Sequence, residues 1–188
     1  VGGFFGAGNS DFKAKEQGGQ ISSTDYQLGA YATWLGNQGS YVDLVARTLW
    51  LDRDYRFDQS NAAQEKASGK QQAYSLALEL GHRMELNGGW FAQPQTQLSW
   101  LRSQKQELIT DRETHIALEQ SENLDLRTGL MVGKTVREAE KAYQFYGKLD
   151  RLQTLRASNN VTVNETRLDS RKESAAWNVG TGLQFSSK

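Results

Sequence analysis

The stretch Trp90–Trp100, WFAQPQTQLSW, reads differently on its two sides. Even positions carry Trp90, Ala92, Pro94, Thr96, Leu98 and Trp100, and odd positions from 93 to 99 carry Gln93, Gln95, Gln97 and Ser99. Side chains that alternate with period two belong to a strand with two unlike faces. Here one face is apolar with a tryptophan at each end, and the other is a row of amides.

The same alternation recurs along the chain. Tyr26, Leu28, Ala30, Ala32 and Trp34 oppose Asp25, Gln27, Gly29, Tyr31 and Thr33. Val42, Leu44, Ala46, Thr48 and Trp50 oppose Tyr41, Asp43, Val45, Arg47 and Leu49. Leu76, Leu78 and Leu80 oppose Ser75, Ala77, Glu79, Gly81 and Arg83. Further on, Leu126, Leu130 and Val132 oppose Asp125, Arg127 and Gly129, while Phe145 and Leu149 oppose Lys148 and Asp150. Trp177, Val179, Leu183 and Phe185 oppose Asn178, Gly180, Gly182 and Gln184. The opening VGGFFGAGNSDF is strand-like, but its glycines leave the faces ambiguous. The period-two criterion gives about eight strands.

Connections alternate in length. Gly36-Asn37-Gln38-Gly39, Asn87-Gly88-Gly89 and the region around Arg137–Lys141 read as short turns. Lys13–Ser23, Phe57–Gln72, Ser103–Ser121 and Ala157–Lys172 read as long polar loops. Leu101–Gln120 and Thr135–Ala142, rich in Glu, Lys, Arg and Gln, suit either a helical turn or an extension of the strands past the membrane, and a helical turn is the expectation for Thr135–Ala142. Short and long connections in alternation describe an antiparallel up-and-down meander with all long loops at one end.

Composition narrows the class. The 188 residues hold 22 Lys and Arg against 22 Asp and Glu, so no basic surface for nucleic acid stands out. With no cysteine, disulfide and thiolate metal chemistry are excluded. His82 and His115 stand apart, without a second histidine at ligand spacing, so no metal site is expected. No nucleophile with a base partner and no phosphate-binding loop is found, so no catalytic residue and no cofactor is expected.

The direction of the polar face decides between water and lipid. Asp43, Arg47, Glu79, Arg83, Gln93, Gln95, Gln97, Asp125, Arg127, Lys148 and Asp150 share it. A soluble ligand-binding barrel would turn such residues outward. The opposite face is nearly free of charge over about ten residues per strand, the height of an outer-membrane apolar band. The expectation is therefore a transmembrane β-barrel, with the polar set lining the lumen. Trp34, Trp50, Leu76, Leu78, Trp90, Leu98, Trp100 and Trp177 would then face lipid or its two interfaces. Long loops would be extracellular and short turns periplasmic, in a bacterial outer membrane.

YQLGAYATWLGNQGSYVDLVARTLW, LALELGHRMELNGGWFAQPQTQLSW and LDLRTGLMVGKTV, in that order, resemble the autotransporter β-domain, the translocator of type V secretion. The resemblance implies a barrel of twelve strands with a helix threaded through the lumen. It also implies a passenger exported to the cell surface and anchored there, and reliance on the barrel assembly machinery and periplasmic chaperones. The chain aligns with the middle of such a domain, so residues 1–188 are expected to lack the first strands, the lumen helix and the last strands. Phe185 is followed by Ser186-Ser187-Lys188, without the terminal aromatic that marks such barrels for insertion. Where self-cleaving members carry Glu-Pro-Gln-x-Glu, this sequence has Gln93-Pro94-Gln95-Thr96-Gln97, and Asn159-Asn160 falls in an expected external loop. The passenger is therefore expected to stay attached. The alternative is a small complete outer-membrane barrel acting in adhesion or binding through its extracellular loops.

Overall fold

The computed structural model describes residues 1–14, 19–57, 64–138, 141–170 and 174–187. Eight long strands make the frame: β1 Gly2–Ala14, β2 Gly19–Leu35, β3 Ser40–Phe57, β4 Glu65–His82, β6 Trp90–Ser103, β9 Ser121–Glu138, β10 Lys141–Val163 and β12 Ala175–Ser187. Four short ones join them: β5 Met84–Glu85, β7 Gln106–Ile109, β8 His115–Leu118 and β11 Thr166–Ser170. The long strands pair in chain order, all antiparallel, within a twelve-stranded sheet. Among the described residues β1 and β12 each have one neighbour, so the sheet is open between them.

The meander and its short turns agree with the alternation in the sequence. At Gly39 the turn needs φ +86, and a Cβ there would lie 2.3 Å from the Arg83 carbonyl oxygen. The long connections differ from expectation. β2, β3 and β4 run through most of Lys13–Ser23 and Phe57–Gln72, and β10 runs to Val163. Those polar stretches are strand extensions. Polarity on both faces erases the period-two signal, while backbone pairing continues unaffected. Asn159 and Asn160 thus sit in β10, paired with β11, and not in a loop. Thr135–Glu138 ends β9 and Lys141 begins β10, so the described residues of this stretch extend the strands and form no helical turn; residues 139 and 140 lie outside the described residues.

Pro94 marks a second departure. It stands in the interior of the sheet, where a proline cannot donate to the ladder. The β4–β6 ladder ends at Gly81↔Gln95 and resumes as β5 at Met84↔Ala92. In the gap, the Arg83 amide turns away and donates to the Gly39 carbonyl at 2.8 Å.

Beyond the ends of β6 and β9, the β7–β8 hairpin fills the space between the extensions of β4 and β10. Gln104 N–H donates to Gln72 O and Asp111 N–H to Lys66 O, each at 2.9 Å. On the other side β8 pairs with Val161–Val163 of β10. Under the hairpin, Tyr55, Ala67 and Leu108 are buried, with Ile21, Phe57, Ile116 and Leu118 packed around them. The face that is polar lower down becomes apolar here, which the sequence reading missed.

Candidate functional site, the polar concave face

One face of the sheet carries a connected polar belt. Register places Glu79 opposite both Asp43 and Gln97, Gln97 opposite Arg127, and Asp150 opposite Gly129. Arg127 is the hub. Its Nη2 reaches Glu79 Oε2 at 2.5 Å, its Nε donates to Gln97 Oε1 at 3.1 Å, and its Nη1 lies 3.6 Å from Asp150 Oδ2. Lys148 Nζ lies 3.2 Å from the same Asp150 oxygen. Gln95 donates to Asp150 Oδ1 at 3.3 Å. The Tyr41 hydroxyl donates to Glu79 Oε1 at 2.7 Å and accepts from Gln93 at 3.2 Å.

Several of these bonds skip a strand. Arg127 and Glu79 are separated by β6, Gln95 and Asp150 by β9, Tyr41 and Gln93 by β4. Two strand spacings are about 9.6 Å. Paired side chains bridge that gap readily where a sheet curls toward them. Gln95 and Asp150 are accordingly only 6% and 5% exposed. The polar face is the concave one.

The other polar candidates lie on this face without joining the belt. Arg47 reaches Gln27 at 3.4 Å, and Asp125 accepts from Thr154 at 2.7 Å. One Asp43 oxygen is buried with no hydrogen-bond partner among the described residues. Arg83 sits at the short-turn end, its guanidinium 3.6 Å from the ring centroid of fully buried Phe91 and bonded to Glu85 and Thr135. Tyr41 and Phe91 were missed as organising residues. The alternation already puts Tyr41 on the polar face and Phe91 at an odd position beside Gln93, but periodicity alone does not mark either as a residue that organises its neighbours.

The convex face is apolar. Trp34, Trp50, Leu76, Leu78, Trp90, Leu98 and Trp177 all project from it exposed. Trp100 is half-exposed and donates its indole N–H to Glu122 at 2.8 Å. The aromatic rows run obliquely. Tyr26 pairs with Trp50, whereas Tyr74 and then Trp100 each sit two residues nearer the short-turn end than the partner of their predecessor. Four residues over three strand steps is ~14 Å along against ~14 Å across, an inclination of roughly 45°. The lower row steps the same way: Trp34 is level with Thr96, and Trp90 lies six residues beyond it. If each row marks one flat surface, the strands cross it at about the tilt of an outer-membrane barrel. At ~45°, the ten residue-to-residue rises from Trp90 to Trp100 project to ~24 Å, against an apolar band about 25 Å tall.

Comparison with known proteins gives a consistent answer. A family model described as autotransporter beta-domain matches residues 1–188. The autotransporter adhesin/invasin TibA of Escherichia coli O78:H11 is 26% identical over 188 residues, covering 98% of this chain and 19% of that protein. The adhesin BmaC autotransporter of Brucella suis biovar 1 is 26% identical over 87% of this chain and 5% of its own length. The pertactin autotransporter of Bordetella parapertussis is 28% identical over 78% of this chain and 16% of its own. The chain thus spans less than a fifth of each of these relatives. The crystal structure of the β-domain of the Bordetella autotransporter BrkA superposes with a TM-score of 0.76 at 22% identity, over 97% of this chain and 79% of that one.

Proposed function

This chain belongs to the autotransporter β-domain family, and from that premise we propose how its two faces serve export. The domain is an outer-membrane translocator barrel. In our reading the concave face lines an aqueous lumen through which an N-terminal passenger is exported and by which it stays anchored. The convex face meets lipid between the two tryptophan rows. Long loops lie outside the cell and short turns face the periplasm. A linker helix of the same polypeptide occupies the lumen, and further strands beyond β1 and β12 close the sheet. The barrel assembly machinery and periplasmic chaperones deliver it. No bond chemistry is assigned to the barrel.

The observation that carries this reading is the pairing of a charge-linked concave belt with a predominantly apolar convex band of membrane height. Retention of the passenger follows from the same belt. Gln97 is held by Arg127 and Gln93 by Tyr41, and neither amide supplies a carboxylate for cleavage.

The test uses the whole protein expressed in a Gram-negative host. Protease added to intact cells is expected to remove the passenger and leave a detergent-requiring, heat-modifiable barrel. Before protease, one chain should carry both parts. A passenger protected inside the cell sinks the export reading, and a free passenger of defined end sinks the uncleaved one.

A further inference from the structure

A cavity of about 610 Å³ opens on the convex face between β9, β10 and β12. Its floor is the row Val132–Gly147–Thr181, aligned across the three strands by register. Gly147 supplies the depth, since a Cβ built there meets nothing within 4 Å. The wall on the short-turn side is the next row, Lys134–Phe145–Leu183, extended on β6 by Trp90. Phe145, Leu183 and Trp90 stand out from it, 53%, 65% and 47% exposed.

Lys134 is out of place on such a face. Every other residue of its row is apolar. A lysine within an apolar band is costly unless its ammonium finds a partner or reaches the interface. Among the described residues Lys134 has no carboxylate partner. Its Nζ lies 5.7 Å from the centroid of the Trp90 ring, at the rim of the cavity, and its backbone, opposite Trp90, sits one two-residue step inside the oblique lower row, close enough for the long side chain to reach that interface. An apolar trough with one cation at its headgroup-level rim has the polarity of a two-part ligand: a hydrocarbon chain and an anion joined to it.

We propose that this cavity is a binding site for a phospholipid of the leaflet on the short-turn side. The phosphate meets Lys134, and one acyl chain lies over Gly147 against Phe145. The proposal rests on the reading that the convex face meets lipid. It adds that one lipid is held in place while the others exchange freely.

The test is native mass spectrometry of the whole protein, purified in detergent, stripped of lipid and titrated with dioleoylphosphatidylglycerol. A discrete adduct is expected. Gly147→Leu should abolish it, and Thr181→Leu, filling the same trough from the next strand, should do likewise. Lys134→Gln should weaken it roughly fivefold, the worth of one cation at an anionic lipid surface. Lys134→Arg should keep it. Dioleoylglycerol, which lacks the phosphate, should bind as weakly to the natural protein as phosphatidylglycerol does to Lys134→Gln. Inorganic phosphate should not compete at matched concentration. Undiminished adduct in both filled variants, or equal uptake of dioleoylglycerol, overturns the site. Heat-modifiable migration checks the barrel separately: its presence with no adduct sinks the site alone, whereas its absence from the natural protein sinks the membrane reading.

Discussion

At the scale of single residues, Arg127 has the most consequence. It compensates two carboxylates, on β4 and β10, and holds the Gln97 amide between them. Cutting one member out of a largely enclosed ion-pair network leaves its partners unpaired, which costs more than the network contributes as a whole. Arg127→Met is expected to destabilise the barrel by about 2 kcal/mol, below the fully buried case because a lumen admits water. Urea unfolding followed by gel mobility would measure it, and adding Glu79→Gln should recover part of the loss. Gly129 shows how tightly the belt is built. A Cβ there would fall 1.9 Å from Asp150 Oδ1, so the carboxylate takes the space a side chain would need. The two faces can be told apart by one charge each. Leu78→Arg should cost ~2–4 kcal/mol of folding into a bilayer if it faces mid-membrane lipid. Gln95→Lys, beside Asp150, should be far milder, and equal penalties would refute the assignment of the two faces. Sign matters at Gln95, since a carboxylate there would meet Asp150 as a like charge.

At the scale of elements, the β7–β8 hairpin is fixed to β4 through Glu65. The Glu65 carboxylate accepts from the hydroxyls of Thr110 and Thr114, and those bonds hold its pKa below the usual glutamate value. A carboxyl depressed in the folded state stabilises fully above its unfolded pKa and loses that contribution as pH falls through the folded one. The hairpin should therefore stay seated at neutral pH and loosen once the medium turns acid enough to protonate Glu65. Hydrogen-exchange protection factors at residues 106–118, taken relative to the intrinsic exchange rate at each pH, should fall between pH 7 and pH 3. Glu65→Gln should lower protection at pH 7 and remove most of its pH dependence. Unchanged protection across that range would refute the contact's role. This hairpin also marks where the sequence ceased to be legible. Strands with one lipid-type face and one polar face announced themselves through alternation, as Leu76–Leu80 and Trp90–Trp100 did. Above the girdle both faces are polar or both carry an occasional apolar residue, so β4 up to Gln72 and β10 from Ala157 onward read as loops. The belt was legible as a face but not as a network. Periodicity assigns Glu79, Arg127 and Asp150 to one side, while the curl that brings them together depends on every strand at once.

At the scale of the whole molecule, the oblique tryptophan rows tie local register to global placement. Two-residue steps between neighbouring strands set how the sheet leans, and that lean makes the rise from Trp90 to Trp100 span an apolar layer of the right height. The charges of the concave face have a further consequence, for ion permeation. Apart from Glu65, which the β7–β8 hairpin encloses, the described carboxylates Asp25, Asp43, Glu79, Glu85, Asp125 and Asp150 are matched in number by the cations Arg47, Arg53, Arg83, Arg127, Arg137 and Lys148. A bore with fixed charges balanced in this way presents little net field to a passing ion. These strands should contribute almost no preference for potassium over chloride. Arg127→Met would unbalance them by one charge. In a planar bilayer under a potassium chloride gradient, its reversal potential should move toward the potassium value relative to the natural barrel.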